Sequence, residues 1–183
     1  LQTDYIDLML LHQPFCDRYG AYRALEEAYK EGKLRTIGVS NFYPDHFIDI
    51  ASNMEIVPEV NQVETHVFDQ QIEPQRIMEE FGTRIMSWRP LTEGRNGFFT
   101  NSILAEIGSK YGKSIVQIAL RWLIQRGVII IPKSIHIERM QQNTDISNFE
   151  LTDEDMATIA TLDMGYSLFF DHYDARTTHM FME

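Results

Sequence analysis

The 183-residue sequence has few of the residues that build disulfides, metal sites or membrane spans. Cys16 is its single cysteine and cannot form an internal disulfide, which favours the reducing cytoplasm. The six histidines are scattered and lack the spacing of a zinc site. No apolar run is long enough to span a bilayer, and no signal-peptide pattern opens the chain. These absences predict a cytoplasmic protein with no metal and no membrane partner.

Positive charge is also scarce in this sequence. Lys and Arg total 16 against 27 Asp and Glu, which gives a formal net charge of −11 and a pI of about 4.9. Such acidity argues against nucleic acid as a partner and makes any local basic cluster more noticeable. The composition, 44% hydrophobic and 23% charged, suits a single globular domain over residues 1–183.

The chain opens with LQTDYIDLMLLHQP, which has no initiator methionine and enters a predicted strand within a few residues. We therefore expect that a leading portion of the fold precedes this chain.

Short apolar strands alternate with amphipathic helices along the whole sequence. Strands are predicted over residues 5–12, 36–42, 58–66, 83–88 and 128–134. Helices are predicted over residues 19–35, 43–54, 70–82, 101–112, 114–127, 135–143 and 151–162. The aromatic tail, residues 167–183, is expected to be an ordered coil packed on the domain. Strict alternation implies right-handed βαβ units and a parallel sheet.

Parallel sheets occur as open doubly wound sheets or as closed barrels. No Gly-x-Gly-x-x-Gly turn follows any predicted strand, so the dinucleotide fingerprint of the open class is absent. The residues after the strands are polar, as at the carboxyl face of a (β/α)8 TIM barrel. Such a barrel needs about 250 residues. The prediction is therefore a TIM barrel that lacks its first strand-helix units.

The stretch VIIIPKS, residues 128–134, ends an apolar run on a lysine. Val128 to Ile131 are all β-branched, which predicts a strand covered on both faces. Lys133 then lies at the strand's carboxyl end, and Ser134 is expected to cap the following helix. A strand end, a cation and a helix N-terminus together predict an anion site. The alternative is a solvated lysine in an ordinary turn.

Five motifs at the strand ends resemble those of the aldo-keto reductases, in the family's order and at its spacing. They are LLHQP, GVSNF, NQVETH, SWRPLTEG and IPKS, the last followed by Arg139 and Asn143. The resemblance covers essentially the whole chain, from the fourth barrel strand to the tail. The segment SLFFDHYD resembles bacterial members similar to the diketogluconate reductases.

The resemblance implies NADPH-dependent reduction of an aldehyde or ketone. The family's catalytic set is an aspartate, a tyrosine, a lysine and a histidine, and only the histidine, His12, matches a position in this chain. The other three would lie before Leu1, so the chain alone is expected to be inactive. His12 could hold the carbonyl oxygen of the substrate. The alternative is a core histidine bonded to a backbone carbonyl.

The resemblance also assigns the nicotinamide end of the cofactor site. Ser40, Asn41 and Gln62 would bind the carboxamide, whose donor and acceptor edges suit amide side chains. Ordinary turn chemistry remains an alternative for the Ser-Asn pair. Trp88 would stack on the nicotinamide ring, or else pack in the core or at its rim. Leu91 belongs to the same implied cofactor site.

Lys133 and Arg139 are implied to bind the adenosine 2′-phosphate. His136 would add a donor there, Ser134 is assigned to the same site, and Asn143 would reach the adenine. The polar loop at residues 93–96 is expected to fold over the pyrophosphate, and His66 is expected to be structural. A non-catalytic nucleotide-binding or regulatory barrel, or an inactive truncated fragment, remains the alternative to an enzyme.

Overall fold

The computed structural model of the protein describes residues 2–182, in which strands alternate with helices. The strands are β1 (Met9–Leu11), β2 (Ile37–Ser40), β3 (Val60–Glu64), β4 (Arg84–Trp88) and β5 (Ile129–Ile130). The helices are α1 (Arg18–Lys30), α2 (Pro44–Asn53), α3 (Ile72–Glu80), α4 (Ser102–Tyr111), α5 (Ile115–Gln125), α6 (Ile137–Thr144), α7 (Asp153–Ala160) and α8 (Ala175–Met182). Strands β1, β2 and β3 pair in parallel, as do β4 and β5, and helices alternate with them, which confirms the predicted α/β class.

The described chain divides into two compact units. The first comprises residues 2–63, 72–85 and 170–182, and the second comprises residues 64–71 and 86–169. Among residues 2–182 no helix combines the length and apolar character needed to cross a membrane.

The first unit is organised around three parallel strands. Strand β2 pairs with β1 on one side and with β3 on the other, and its Ile37 and Val39 are fully buried. Gly38 is required between them, because a Cβ at this position would lie 2.3 Å from the backbone oxygen of Val60. Helix α2 begins at Pro44, because the fixed φ of proline suits the first turn of a helix.

The second unit contains the parallel pair β4–β5 and the helices that pack on it. Met86 pairs with Ile129 and Ser87 with Ile130. Helix α5 buries Trp122, and its N-terminus carries a capping box formed by Ser114 and Gln117. Helix α7 is capped by Thr152, whose side chain accepts from the backbone N–H of Asp155.

The predicted coverage of the β5 strand on both faces is wrong. Only Ile129 and Ile130 are in the strand, and Ile129 and Ile131 are 37% and 49% exposed. Within the described chain β5 is an edge strand with β4 as its hydrogen-bonded neighbour. A strand with one neighbour leaves part of its apolar surface in solvent.

The expectation that Ser134 caps α6 is also wrong. The helix begins at Ile137, and the residue at its cap, His136, makes no side-chain capping bond. The Ser134 hydroxyl instead accepts from the backbone N–H of His136 at 3.1 Å. Because the helix starts three residues after Ser134, this hydroxyl does not reach the free N–H groups of its first turn.

The tail is partly helical, whereas a coil was expected. Helix α8 starts after Asp174, whose carboxylate accepts from the backbone N–H of Arg176 at 2.9 Å. The tail does pack on its own unit, since Phe181 stacks on Phe15 with ring centroids 5.9 Å apart. The local capping by Asp174 explains a helix that apolar periodicity alone does not predict.

Candidate functional site

The first unit contains four predicted site residues, His12 after β1, Ser40 and Asn41 at the carboxyl end of β2, and Gln62 within β3. The Ser40 hydroxyl donates to the backbone oxygen of Gln62 at 2.9 Å, and the backbone N–H of Asn41 donates to the same oxygen at 2.9 Å. The Asn41 amide donates to the backbone oxygen of His12 at 3.2 Å. Hydrogen bonds therefore connect His12, Ser40, Asn41 and Gln62.

Asn41 holds this arrangement in an unusual backbone conformation. Its φ is +62°, a left-handed conformation that asparagine tolerates better than most residues. Its side chain is buried and also donates to the Ser40 hydroxyl at 3.1 Å. His12 itself is exposed among the described residues. The imidazole is thus accessible at a strand end whose backbone is fixed by Asn41.

The second unit contains a cleft of about 890 Å³. Six of the predicted cofactor residues line it: Leu91, Lys133, Ser134, His136, Arg139 and Asn143. The resemblance assigns these six residues to one cofactor site, and the structure shows that they line one cleft. A cleft of this size lies within the range of small-molecule sites, about 300–1,000 Å³.

The cleft presents positive charge to its interior. Lys133 and Arg139 line it, and neither forms an ion pair with a residue in the described part of the chain. Arg139 and Asn143 are one turn apart on α6, so both reach the same surface. His136 precedes that helix and also lines the cleft. This combination of groups suits a phosphate and an attached base.

Several lining residues were not predicted from the sequence. They are Arg89, Pro90, Phe99, Val116, Ile131, Pro132, Ile135 and Gln142. Glu93 also lines the cleft and belongs to the polar loop expected to fold over the pyrophosphate, and its carboxylate pairs with the Arg89 guanidinium at 2.9 Å. Phe99 is 56% exposed, and Ile135 is 79% exposed. The sequence carries no signal for these two residues, because an apolar residue that lines a cleft has the same local pattern as a core residue.

Trp88 ends β4 and is half-buried, but it does not line the cleft. Its ring packs edge-to-face against Phe169 with centroids 5.7 Å apart. The guanidinium carbon of Arg89 lies 5.3 Å from the centre of the Trp88 ring. Trp88 therefore adjoins the cleft through Arg89.

His66 belongs to a buried network, in agreement with its expected structural role. Its Nδ1 accepts from the backbone N–H of Phe68 and of Asp69, so its Nε2 carries the proton and donates to Glu64 at 2.9 Å. Burial, with the nearby Glu64 carboxylate, raises the pKa of Asp69 to about 6. Within the described residues no group of three or more His, Cys, Asp or Glu side chains could hold a metal ion.

Comparison with known proteins identifies the class of protein to which this fold and site belong. The model of the aldo/keto reductase family matches residues 1–164. The chain therefore belongs to the aldo/keto reductase family.

Curated relatives include bacterial enzymes of the kind that the tail motif suggested. The chain is 45% identical over 163 residues to the glyoxal reductase of Bacillus subtilis, covering 88% of this chain and 58% of that protein. It is 36% identical over 171 residues to the methylglyoxal reductase DkgA of Escherichia coli, covering 92% of this chain and 62% of that protein. The chain thus spans about three fifths of the length of these relatives.

Solved structures confirm the barrel class. An aldo-keto reductase from a Medee basin deep-sea metagenome library matches with a TM-score of 0.91 and 39% identity, covering 95% of this chain and 65% of that one. An aldo-keto reductase of Bombyx mori in complex with NADP matches with a TM-score of 0.86 and 32% identity, covering 94% and 62%. The chain corresponds to the C-terminal portion of this fold.

Proposed function

We propose that this chain carries the cofactor site and the catalytic histidine of an NADPH-dependent aldo-keto reductase, which reduces an aldehyde or ketone to an alcohol. The observation that carries the proposal is the cleft of the second unit, where Lys133, His136, Arg139 and Asn143 converge. Membership of the family and the bound NADP of the Bombyx mori structure support it. The names of the bacterial relatives favour a small reactive aldehyde as substrate.

The cleft fits the adenosine half of the cofactor in size and charge. Lys133 and the planar guanidinium of Arg139 would share the charge of the 2′-phosphate, and His136 would add a donor. Asn143 would bind the adenine through its amide. Ser134 and Leu91 line the same cleft and would contact the remaining surface of the nucleotide.

The carboxyl end of β2 and the neighbouring Gln62 of β3 would supply groups for the nicotinamide end. Ser40, Asn41 and Gln62 would bind the carboxamide and fix which ring face meets the substrate. Trp88 would stack on the ring. Bound NADPH would supply the hydride for the carbonyl carbon.

His12 would orient the substrate. Its exposed imidazole could donate to the carbonyl oxygen, where negative charge develops during reduction. The hydrogen bond from Asn41 to the His12 backbone holds that position. The tyrosine that donates the proton would belong to the preceding part of the fold, so His12 would orient the substrate without completing the reaction.

We assign the five strands to barrel strands four to eight of a single domain, and the aspartate, tyrosine and lysine to the part that precedes them. The chain spans 58% of the glyoxal reductase, in keeping with this assignment. The chain alone would then lack the general acid and have no meaningful reductase activity.

A second candidate is nucleotide binding without catalysis. Every residue that lines the cleft belongs to the second unit, whereas His12 belongs to the first. A cofactor site confined to one unit is compatible with a regulatory barrel, or with a truncated fragment, that binds the nucleotide without reducing a substrate.

The test compares this chain with a chimera in which the upstream part of the Bacillus subtilis glyoxal reductase precedes it, called here the extended chimera. Both are assayed with NADPH and methylglyoxal. Loss of a general acid typically costs 10²–10⁴-fold in rate, so the chain alone should be slower by at least about a hundredfold. The extended chimera carrying His12→Gln is assayed in the same way and shows how much His12 contributes to turnover.

Three outcomes separate the candidates. Turnover by the extended chimera and none by the chain supports the proposal. Equal turnover by both would place the catalytic acid within these 183 residues and refute the assignment. NADPH binding by the extended chimera without turnover would favour the non-catalytic candidate.

A further inference from the structure

The segment Ser167–Phe169, which follows α7, is fixed by a fully buried carboxylate. Glu64 accepts from the backbone N–H of Leu168 at 2.8 Å through Oε1, and from the Ser167 hydroxyl at 2.5 Å through Oε2. The backbone N–H of Phe169 donates to the Ser167 hydroxyl at 2.9 Å. A buried carboxylate requires such partners, so this segment and Glu64 stabilise each other. We call Glu64, Ser167, Leu168 and Phe169 the tail clasp.

The Phe169 ring of the tail clasp contacts two arginines of the loop at residues 89–101, which follows β4. The guanidinium carbons of Arg89 and Arg95 each lie 4.0 Å from its centre, within the range of cation–π contacts. Arg95 also donates to the backbone oxygen of Leu168 at 2.5 Å. The same ring packs edge-to-face on Trp88. Phe169 therefore connects Trp88, Arg89 and Arg95.

The loop itself has a backbone that needs outside support. Arg89, Thr92, Glu93 and Asn96 all have φ between +53° and +55°, a conformation that costs free energy in any residue other than glycine. Such conformations persist when surrounding contacts determine them. Arg89 and Glu93 line the cleft, so the contacts that hold the loop also hold part of the cleft.

We propose that Phe169 is a positioning residue of the cofactor cleft, acting through Arg89 and Trp88. The proposal rests on the proposed NADPH site. Phe169 holds the loop at the edge of the cleft, where the pyrophosphate is expected, and the ring of Trp88 beside the cleft. Lys133, Ser134 and the residues of α6 hold the adenosine end without it. Loss of the ring should therefore weaken binding of the whole dinucleotide but spare binding of its 2′-phosphorylated adenosine half.

The test uses the 183-residue chain and two ligands, NADPH and adenosine 2′,5′-bisphosphate, titrated by calorimetry. Phe169→Leu should weaken NADPH binding by about tenfold, equivalent to about 1.4 kcal/mol, and leave the adenosine ligand within about twofold. Phe169→Tyr keeps the ring and should restore NADPH binding. Phe149→Leu is the matched control, because Phe149 also packs against an aromatic ring and a cation, but its partners are Tyr111 and Lys113 and not Trp88 and Arg89.

A second readout is independent of the ligands. Trp122 is 1% exposed, so acrylamide quenching of tryptophan fluorescence reports mainly Trp88. Quenching should increase in Phe169→Leu and not in Phe149→Leu. Equal weakening of both ligands, or unchanged quenching, would overturn the proposal. If the unmutated chain binds neither ligand, the proposed cofactor site fails, and the cofactor role of Phe169 falls with it.

Discussion

The amide of Asn41 donates a hydrogen bond to the backbone oxygen of His12, with Nδ2 and O 3.2 Å apart. This bond joins the loop after β2 to the end of β1, where the proposed catalytic imidazole lies. Because φ of Asn41 is +62°, the residue serves the turn and the site together. Substitutions at Asn41 can separate these two roles.

Asn41→Gly keeps the left-handed backbone without cost but removes the amide. We expect kcat/KM of the extended chimera to fall by about ten- to a hundredfold, since a lost buried hydrogen bond costs about 1–3 kcal/mol. Steady-state kinetics with NADPH and methylglyoxal measure this effect. Asn53→Gly, at the exposed end of α2, is the control for a general loss of stability. Full activity of Asn41→Gly would reduce Asn41 to a turn former.

The fluorescence of Trp88 should be quenched when the cofactor binds, if the Trp88 ring stacks on the nicotinamide. We expect the tryptophan emission of the extended chimera to drop when NADPH is added, and Trp88→Phe to lose most of that drop. Trp122→Phe is the control and should retain it. A drop that survives unchanged in Trp88→Phe would assign the quenching to Trp122 and remove Trp88 from the site.

Asp155 should make stability depend on pH in the acid range. Burial acts to raise the pKa of this carboxyl, but hydrogen bonds from Lys110, Tyr111 and Thr152 outweigh it and lower the pKa to about 2. Its stabilising contribution is therefore present above the unfolded-state pKa, about 3.9, and is lost as pH falls towards 2.

Asp155→Asn in the extended chimera should lower the free energy of unfolding by about 1–3 kcal/mol at pH 7. The difference from the unmutated protein should narrow as pH falls from about 4 to 2. Urea unfolding over this pH range measures it, with the exposed Asp153→Asn as control. A difference that stays constant with pH would mean that the ionised carboxylate is not the source of the stability.

Much of the fold could be predicted because short apolar runs mark the strands and apolar residues at helical spacing mark the helices. The pattern identified all five strands and the spacing of Arg139 and Asn143 on one helix. It could not predict the exposure of Ile129 and Ile131, because hydrophobicity records what a side chain prefers and not how many strands surround it. The helix α8 was missed because its start depends on one local cap at Asp174.

The candidate site was predictable where charged residues follow strand ends. Lys133 and Arg139 stand out in an acidic sequence, and the resemblance gave them a role. Phe99 and Ile135 were missed because an apolar residue that lines a cleft has the same local sequence signature as a core residue. Phe169 was missed for another reason. Its position depends on Glu64, more than 100 residues earlier, and no local pattern reports such a contact.

The central claim is that this chain binds the 2′-phosphate of NADPH through Lys133 and Arg139. Its most direct test is the affinity of the extended chimera for NADPH and for NADH, before and after Lys133→Met with Arg139→Met. The double variant should lose about 3–6 kcal/mol of NADPH binding, at about 1.5–3 for each charge-assisted bond, and should lose little NADH binding. Arg23→Met with Lys33→Met, which makes the same change in net charge at exposed positions of the first unit, should affect neither cofactor. Equal losses for NADPH and NADH would contradict the account.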